Sequence, residues 1–259
     1  MTYDWKMTNK LIPYTQEWFN AIDLRFLDGA YLFTDPDHPF GEYIPFSQLK
    51  GKRVLEIGCG MGFHTELLCR AGAVMTSIDI TSESINATRR RLEIKNLSAE
   101  LIQADAESLD LESETFDFIW SWGVIHHSSS TTKIISNVFR MLKPGGKFSF
   151  MVYNLNSSMA YYALAKHYFV GFWFGNSLEH SLNLFTDGFT ARYYTADQLV
   201  DLLLLFTPNI SCLTLGQVSD IIPLPSFLRR PVSRLFARSW MKKQASKKGF
   251  FLFLETTKE

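Results

Sequence analysis

The stretch VLEIGCGMG (residues 54–62), followed by FHTELLCRAG (residues 63–72), decides the fold. An apolar run ending in three alternating glycines reads as a buried strand that turns straight into a helix. Such a turn can set bare backbone amides of the helix N-terminus toward a ligand, and glycine lets that ligand come close. A dinucleotide fingerprint wants glycine at its first, third and sixth positions, whereas here the sixth is Phe63 and the fifth is Gly62. Glu56, two residues ahead of the first glycine, would repel a pyrophosphate and suits an ammonium or sulfonium group.

Outward from the loop the pattern repeats. Residues 73–78 read as a strand ending at Asp79, and residues 82–96 as a helix capped at both ends. Strands are expected over 100–104 and 116–121, then a helix over 131–142, a Pro-Gly-Gly turn at 144–146 and a strand over 147–153. This alternation predicts an α/β fold, a doubly wound parallel sheet covered on both faces, with ligands beyond the carboxyl ends of its strands. Thr195 and Gln198 form a capping box for a helix to Phe206, and residues 210–215 and 250–255 read as a closing pair of strands. Four regions follow: an N-terminal cap (1–50), a ligand-binding core (51–153), an aromatic lid insertion (154–194) and the rest of the core (195–259), which carries a basic insertion (217–248).

Three positions beyond the loop carry chemistry. Asp79 ends the second strand where a carboxylate can accept from both hydroxyls of a ribose; the caps of the next helix, Thr81 and Ser82, leave it free for that. Asp105, next to Ala106 at the end of the third strand, can accept from the exocyclic amine of adenine or serve as a plain turn residue. His126 and His127 follow the fourth strand, where an imidazole can take a proton. His127 is preferred as base or substrate contact; His126 has mainly a structural part beside it but is kept among the substrate candidates.

The series VLEIGCGMG, SIDIT, QADAESL, FDFIWSWGVIHH and FRMLKPGGKFSF resembles, in order and spacing, the motifs of class I S-adenosylmethionine-dependent methyltransferases. Within them it is most similar to the small-molecule branch that includes ubiquinone and menaquinone biosynthesis enzymes. The resemblance implies a Rossmann-like, seven-stranded, mainly parallel sheet with an antiparallel last strand, and S-adenosyl-L-methionine as cofactor. It puts Gly58, Gly60 and Gly62 against the methionine part of the cofactor, Asp79 on the ribose, Asp105 with Ala106 around the adenine, and Ser121 and Trp122 beside the sulfonium. Glu56, Cys59 and Ile80 are counted with these contacts. A ring at Trp122 would attract a sulfonium through its quadrupole, with core packing the competing reading. The expected reaction is in-line methyl transfer to a small, partly apolar or aromatic acceptor, by proximity and with His127 as a candidate base. No metal is required.

The additions would set the acceptor. Residues 157–174, SSMAYYALAKHYFVGFWF, form a helical candidate rich in rings; with Tyr153, Phe185, Phe189, Tyr193 and Tyr194 they could form a lid, or pack on the sheet. Candidate acceptor contacts are Tyr153, Asn154, His180 and Arg192, with Tyr14, Trp18, Phe40 and Tyr43 closing the other side. Residues 229–248 hold eight basic and no acidic residues. They read as one amphipathic helix, with Val232, Leu235, Phe236 and Trp240 on one face and Arg234, Arg238 and Lys242 on another. It would dock on the body, rest on an anionic membrane or draw in a lipid-linked substrate.

Composition narrows the classes. The chain has 259 residues, 46% of them hydrophobic, and a formal net charge of zero, which implies no general affinity for nucleic acid. Cys59, Cys69 and Cys212 follow no metal-ligand spacing and suggest a reducing compartment. With no cationic start leading into an apolar run, a cytoplasmic location is expected, membrane-peripheral if the basic segment binds lipid. A nicotinamide oxidoreductase conflicts with the glycine spacing. A nucleic-acid methyltransferase conflicts with SWGVIHH, which lacks the Asn or Asp followed by two prolines and an aromatic that such amino-directed enzymes use.

Overall fold

The computed structural model describes residues 11–171, 191–224 and 226–259. Strand β1 (Arg53–Ile57) is buried from Val54 onward and lies at the centre of the sheet, parallel to β2 (Val74–Asp79) on one side and β4 (Phe116–Trp122) on the other. β3 (Glu100–Gln103) extends the β2 side and β5 (Leu142–Asn154) the β4 side, both in parallel. β8 (Phe251–Thr257) then runs antiparallel between β5 and β7 (Ile210–Leu215), giving the order β3-β2-β1-β4-β5-β8-β7. The expected seven-stranded sheet with an antiparallel last strand is present. A two-residue strand, β6 (Tyr193–Tyr194), is added at the end of β5.

The helices are α1 (Gln16–Gly29), α2 (Phe63–Arg70), α3 (Ser82–Lys95), α4 (Thr131–Met141), α5 (Ser158–Lys166), α6 (Ala196–Leu203), the single turn α7 (Val218–Ile221), α8 (Ser226–Ser233) and α9 (Arg238–Lys248). Their ends follow local chemistry. Thr81 caps α3 by accepting from the Ser84 amide, Asn96 closes it in the left-handed region, and Thr195 and Gln198 make the expected capping box for α6.

Period-two alternation gives each strand two apolar faces. Leu55, Ile57, Phe148, Phe150, Leu252 and Leu254 pack with α4 and α6 in one core. The opposite face, with Val54, Phe118, Trp120, Met151, Phe251 and Phe253, is covered by Phe33, Phe40, Tyr43 and Ile44 of the N-terminal region, so that region completes the second core.

Three expectations are corrected. Lys143 to Gly146 do not break the chain into a turn: β5 starts at Leu142 and absorbs them as a bulge, because the register jumps from Phe116 opposite Leu142 to Phe118 opposite Lys147. The basic segment is two helices, with Arg234, Leu235 and Phe236 in the turn between them, so Arg234, Arg238 and Lys242 do not share one helix face. Within the described residues the lid candidate is helical through α5 and one following π turn, His167–Gly171, but Tyr161 and Tyr162 point into solvent. His180, Phe185 and Phe189 lie outside the described residues.

Candidate functional site

The glycine turn sits at the carboxyl end of β1, and its backbone is held from three directions. Gly58 and Cys59 donate their amides to Ile78 O of β2 at 2.8 and 3.1 Å, Gly60 donates to Asp79 Oδ2 at 3.0 Å, and Gly62 donates to Cys59 O at 2.8 Å. Thr88 Oγ1 of α3 closes the tie by donating to Gly60 O at 3.0 Å. The expectation of bare amides is thus overturned at these four positions. A pyrophosphate would find those donors taken, whereas a ligand that needs room rather than N–H groups would not.

That room is at Gly60, whose φ is +51° and where an added Cβ would meet nothing within 4 Å. Gly58 is needed for a different reason. Its φ is +82°, and a Cβ there would lie 2.2 Å from Val124 Cγ2, so the β4 loop packs directly on the turn.

Glu56 lies beneath the loop, 2% exposed, where its carboxylate accepts from Thr65 Oγ1 of α2 and from Ser77 Oγ of β2. Burial pushes its pKa up to about 7, against the lowering effect of those two hydroxyls. A cation brought to this carboxylate would hold it ionised, so the donor set fits a ligand carrying positive charge. Asp79 is half-buried at the end of β2; besides the Gly60 amide, it accepts from the amide and hydroxyl of Thr81 at 3.0 and 2.9 Å. Ile80, next to it, stands 64% exposed in solvent, an apolar side chain at the lip of the same cleft.

Asp105 is exposed and accepts from the Glu107 amide, capping the short 3-10 turn that holds Ala106. Glu107, which sequence reasoning passed over, clamps the loop after β4: it accepts from Ser128 Oγ, Ser129 Oγ and the Ser130 amide. Those hydroxyls hold its pKa down to about 2.

Beyond β4 the candidates separate. Ser121 is fully buried and donates to Ile57 O at the end of β1. Trp122 is partly buried, stacked on Trp120 at 5.7 Å and edge-on to Phe40 at 4.8 Å. His64, on α2, fills the same aromatic cluster with Nε2 unpartnered, and burial pushes its pKa down to about 3; nothing in the sequence distinguishes it from a helix-surface histidine. His126 is fully buried, its ring 4.0 Å from that of Tyr153, and desolvation holds its pKa well below the usual range. His127 is the partly exposed member of the pair, 4.2 Å from His126 by ring centroids.

Several proposed acceptor contacts are turned into the protein. Asn154 is 3% exposed, donates from Nδ2 to Gly249 O and accepts the Asn156 amide. Tyr43 packs on Phe253 in the second core, and burial raises its pKa. Tyr153 is walled in by His126, Tyr193 and Phe250. Trp18 is buried between Tyr14 and Phe19, at the start of a helix that docks on α3 through Arg91, which donates to both oxygens of Asp23 and to Glu66. Arg192 is exposed; its amide donates to His126 O. Among the described residues no cluster of His, Cys, Asp or Glu could hold a metal.

The comparisons with known proteins agree with this geometry. A family model described as a methyltransferase domain matches residues 55–150. The chain is 32% identical over 116 residues to a ubiquinone biosynthesis O-methyltransferase of Coxiella burnetii, an overlap of 45% of this chain and 50% of that protein. It therefore spans about half the length of the curated relatives it matches. Among solved structures it is similar in fold to the YcgJ protein of Bacillus subtilis, at a TM-score of 0.57 and 16% identity, over 85% of this chain and 97% of that one. A phosphoethanolamine N-methyltransferase 2 of Haemonchus contortus, solved in complex with S-adenosyl-L-methionine, superposes at a TM-score of 0.59 and 14% identity, over 96% of this chain and 60% of that one. Residues 55–150 thus match a methyltransferase domain, and the sheet that the rest of this chain completes has the fold of methyltransferases of known structure.

Proposed function

We propose that this protein transfers a methyl group from S-adenosyl-L-methionine to a small-molecule acceptor that is apolar or aromatic in part. The observation that carries the reading is the glycine turn whose amides already donate to Ile78, Asp79 and Cys59, leaving open space at Gly60 above the buried carboxyl of Glu56. When bound, the cofactor supplies a methyl carbon on a positively charged sulfur, open to in-line displacement. Glu56 balances positive charge at the methionine end, Asp79 accepts from the ribose, and Asp105, Ala106 and Ile80 flank the base. The Trp122 ring attracts the sulfonium through the negative face of its quadrupole. His127, the solvent-reachable imidazole at the mouth, takes the proton that the acceptor gives up. Ser121, Tyr43 and Asn154 act by holding the frame. Catalysis then rests on alignment and exclusion of water, with proton removal an added factor of about 100-fold or more.

Calorimetry tests the cofactor: S-adenosylhomocysteine should bind with a dissociation constant in the micromolar range while NAD does not, and tighter binding of NAD would sink the reading. For the base, His127→Ala should flatten the acidic limb of the pH–rate profile; an unchanged profile removes His127 from the mechanism. The relative named a ubiquinone O-methyltransferase supports a small-molecule acceptor and oxygen as the acceptor atom.

A further inference from the structure

The basic half of the chain ends in a surface that the methyl-transfer site does not use. Between Asp220 and Glu255 the sequence holds eight Lys or Arg and no acid. Two of the eight serve the fold: Arg238 donates to Tyr31 O and Thr34 O, and Lys242 pairs with Glu42 at 3.1 Å. Arg234, Lys243 and Lys247 stand exposed, and Lys248 lies over the Tyr161 ring at 5.1 Å.

Large apolar side chains stand among these cations. Leu235 is 80% and Phe227 73% exposed, and Phe236 stacks on Trp240 at 4.9 Å with the two residues 40% and 43% exposed. Tyr168 and Phe169, in the π turn after α5, are similarly bare at 73% and 72%. α7 packs against α5, α8 and α9, and Ser158, Trp240, Lys247 and Lys248 line one groove of about 300 Å³, so α5 and α9 share a surface. Its position follows from topology. α5 leaves the carboxyl end of β5, α7 follows that of β7, and α9 enters antiparallel β8, so all three stand at the end of the sheet where the glycine turn and His127 lie.

We propose that α5, α8 and α9 with their connecting turns rest on an anionic lipid bilayer, and that the acceptor reaches the site from that side. The second half of this statement rests on the methyl-transfer reading; the first does not. Cations interleaved with bare leucine and aromatic side chains match a headgroup layer over an acyl layer. A nucleic acid would satisfy the cations and rings yet leave Leu235 and Leu228 in water, which favours lipid.

Co-sedimentation of the full chain with vesicles tests it, using phosphatidylcholine alone and a 3:1 mixture with phosphatidylglycerol. Binding is expected to the mixed vesicles at low salt, weakened at high salt and on neutral vesicles. The pair Phe227→Ser and Leu235→Ser should lower partitioning at least tenfold, and the pair Lys243→Gln and Lys247→Gln about fivefold per lysine removed. S-adenosylhomocysteine affinity, measured on the same samples, should not change in either variant. Absence of binding to mixed vesicles at low salt overturns the proposal, as does binding by both variants as tight as that of the wild type, or binding of single-stranded RNA in place of vesicles. A wild type that binds vesicles but not S-adenosylhomocysteine would remove the methyl-transfer reading and leave the surface standing.

Discussion

The two halves of the sheet use their polar residues differently. On the β1–β3 side two hydrogen-bonded groups frame the glycine turn, Glu56 with Thr65 and Ser77 beneath it and Asp79 with Thr81 and Thr88 around Gly60. On the β5–β8 side the strand ends are filled by rings packed at a tilt, Tyr153, Tyr193, Phe250 and Phe251, and the polar Asn154 is absorbed by backbone. A frame of that kind can recognise one ligand by fixed geometry, whereas a wall of rings excludes water and accepts a range of shapes. On the methyl-transfer reading, the difference means that cofactor and acceptor are recognised by separate physics in one sheet.

The largest expected effect is at the join between the halves. Gly58→Ala forces a Cβ into Val124 in the left-handed region, and should cost about 3 kcal/mol in denaturant unfolding while abolishing S-adenosylhomocysteine binding. A well-folded variant that still binds would break the idea that the β4 loop and the turn act as one piece.

Next comes Asp79→Asn, which keeps shape but removes charge. Calorimetric affinity for S-adenosylhomocysteine should fall about 10- to 100-fold, and an unchanged value would take the frame out of recognition. Glu56 sharpens the comparison through pH. Burial lifts its pKa from 4.5 to about 7, so the folded chain holds that proton more tightly than the unfolded one. Its contribution to stability is complete below pH 4.5 and is lost as pH rises through about 7, roughly 3 kcal/mol in all. Relative to Glu56→Gln, the ligand-free protein should therefore lose stability between pH 5 and pH 8, and saturating S-adenosylhomocysteine should narrow that loss by supplying an ammonium. A pH-independent difference would show that the carboxyl is not buried alone.

The smallest effect is expected on the other half. Glu42→Gln breaks a pair whose side chains are 61% and 50% exposed, and should shift stability by no more than about 0.5 kcal/mol. A larger change would mean that this contact, and not the apolar packing beneath it, docks α9.

Legibility in the sequence followed the same divide. The strand, turn and helix around Gly58 were readable because backbone needs of a tight turn are written into adjacent residues, as were the caps at Thr81 and Thr195. Pro144, Gly145 and Gly146 read as a turn because nothing local tells a turn from a bulge; the partner strand decides, through the jump opposite Phe118. The break at Ala237 was likewise invisible, since its cause is distant: Arg238 reaches back to Tyr31 and Thr34, 204 or more residues earlier. Tyr161 and Tyr162 read as lid residues by composition, yet helix phase turns them to solvent. Glu107 gave no signal, because its partners Ser128 to Ser130 come together with it only in the folded chain.

The closed donor set of the glycine turn has a kinetic meaning. A loop whose amides already donate to β2, Asp79 and Cys59 is tied down before any ligand arrives, so little ordering of the turn is left to accompany binding. On the methyl-transfer reading, differences between ligands are then expected in how long each stays more than in how fast each arrives. A product whose sulfur is now neutral meets the same turn on leaving, with Glu56 free to take up a proton once its ammonium has gone.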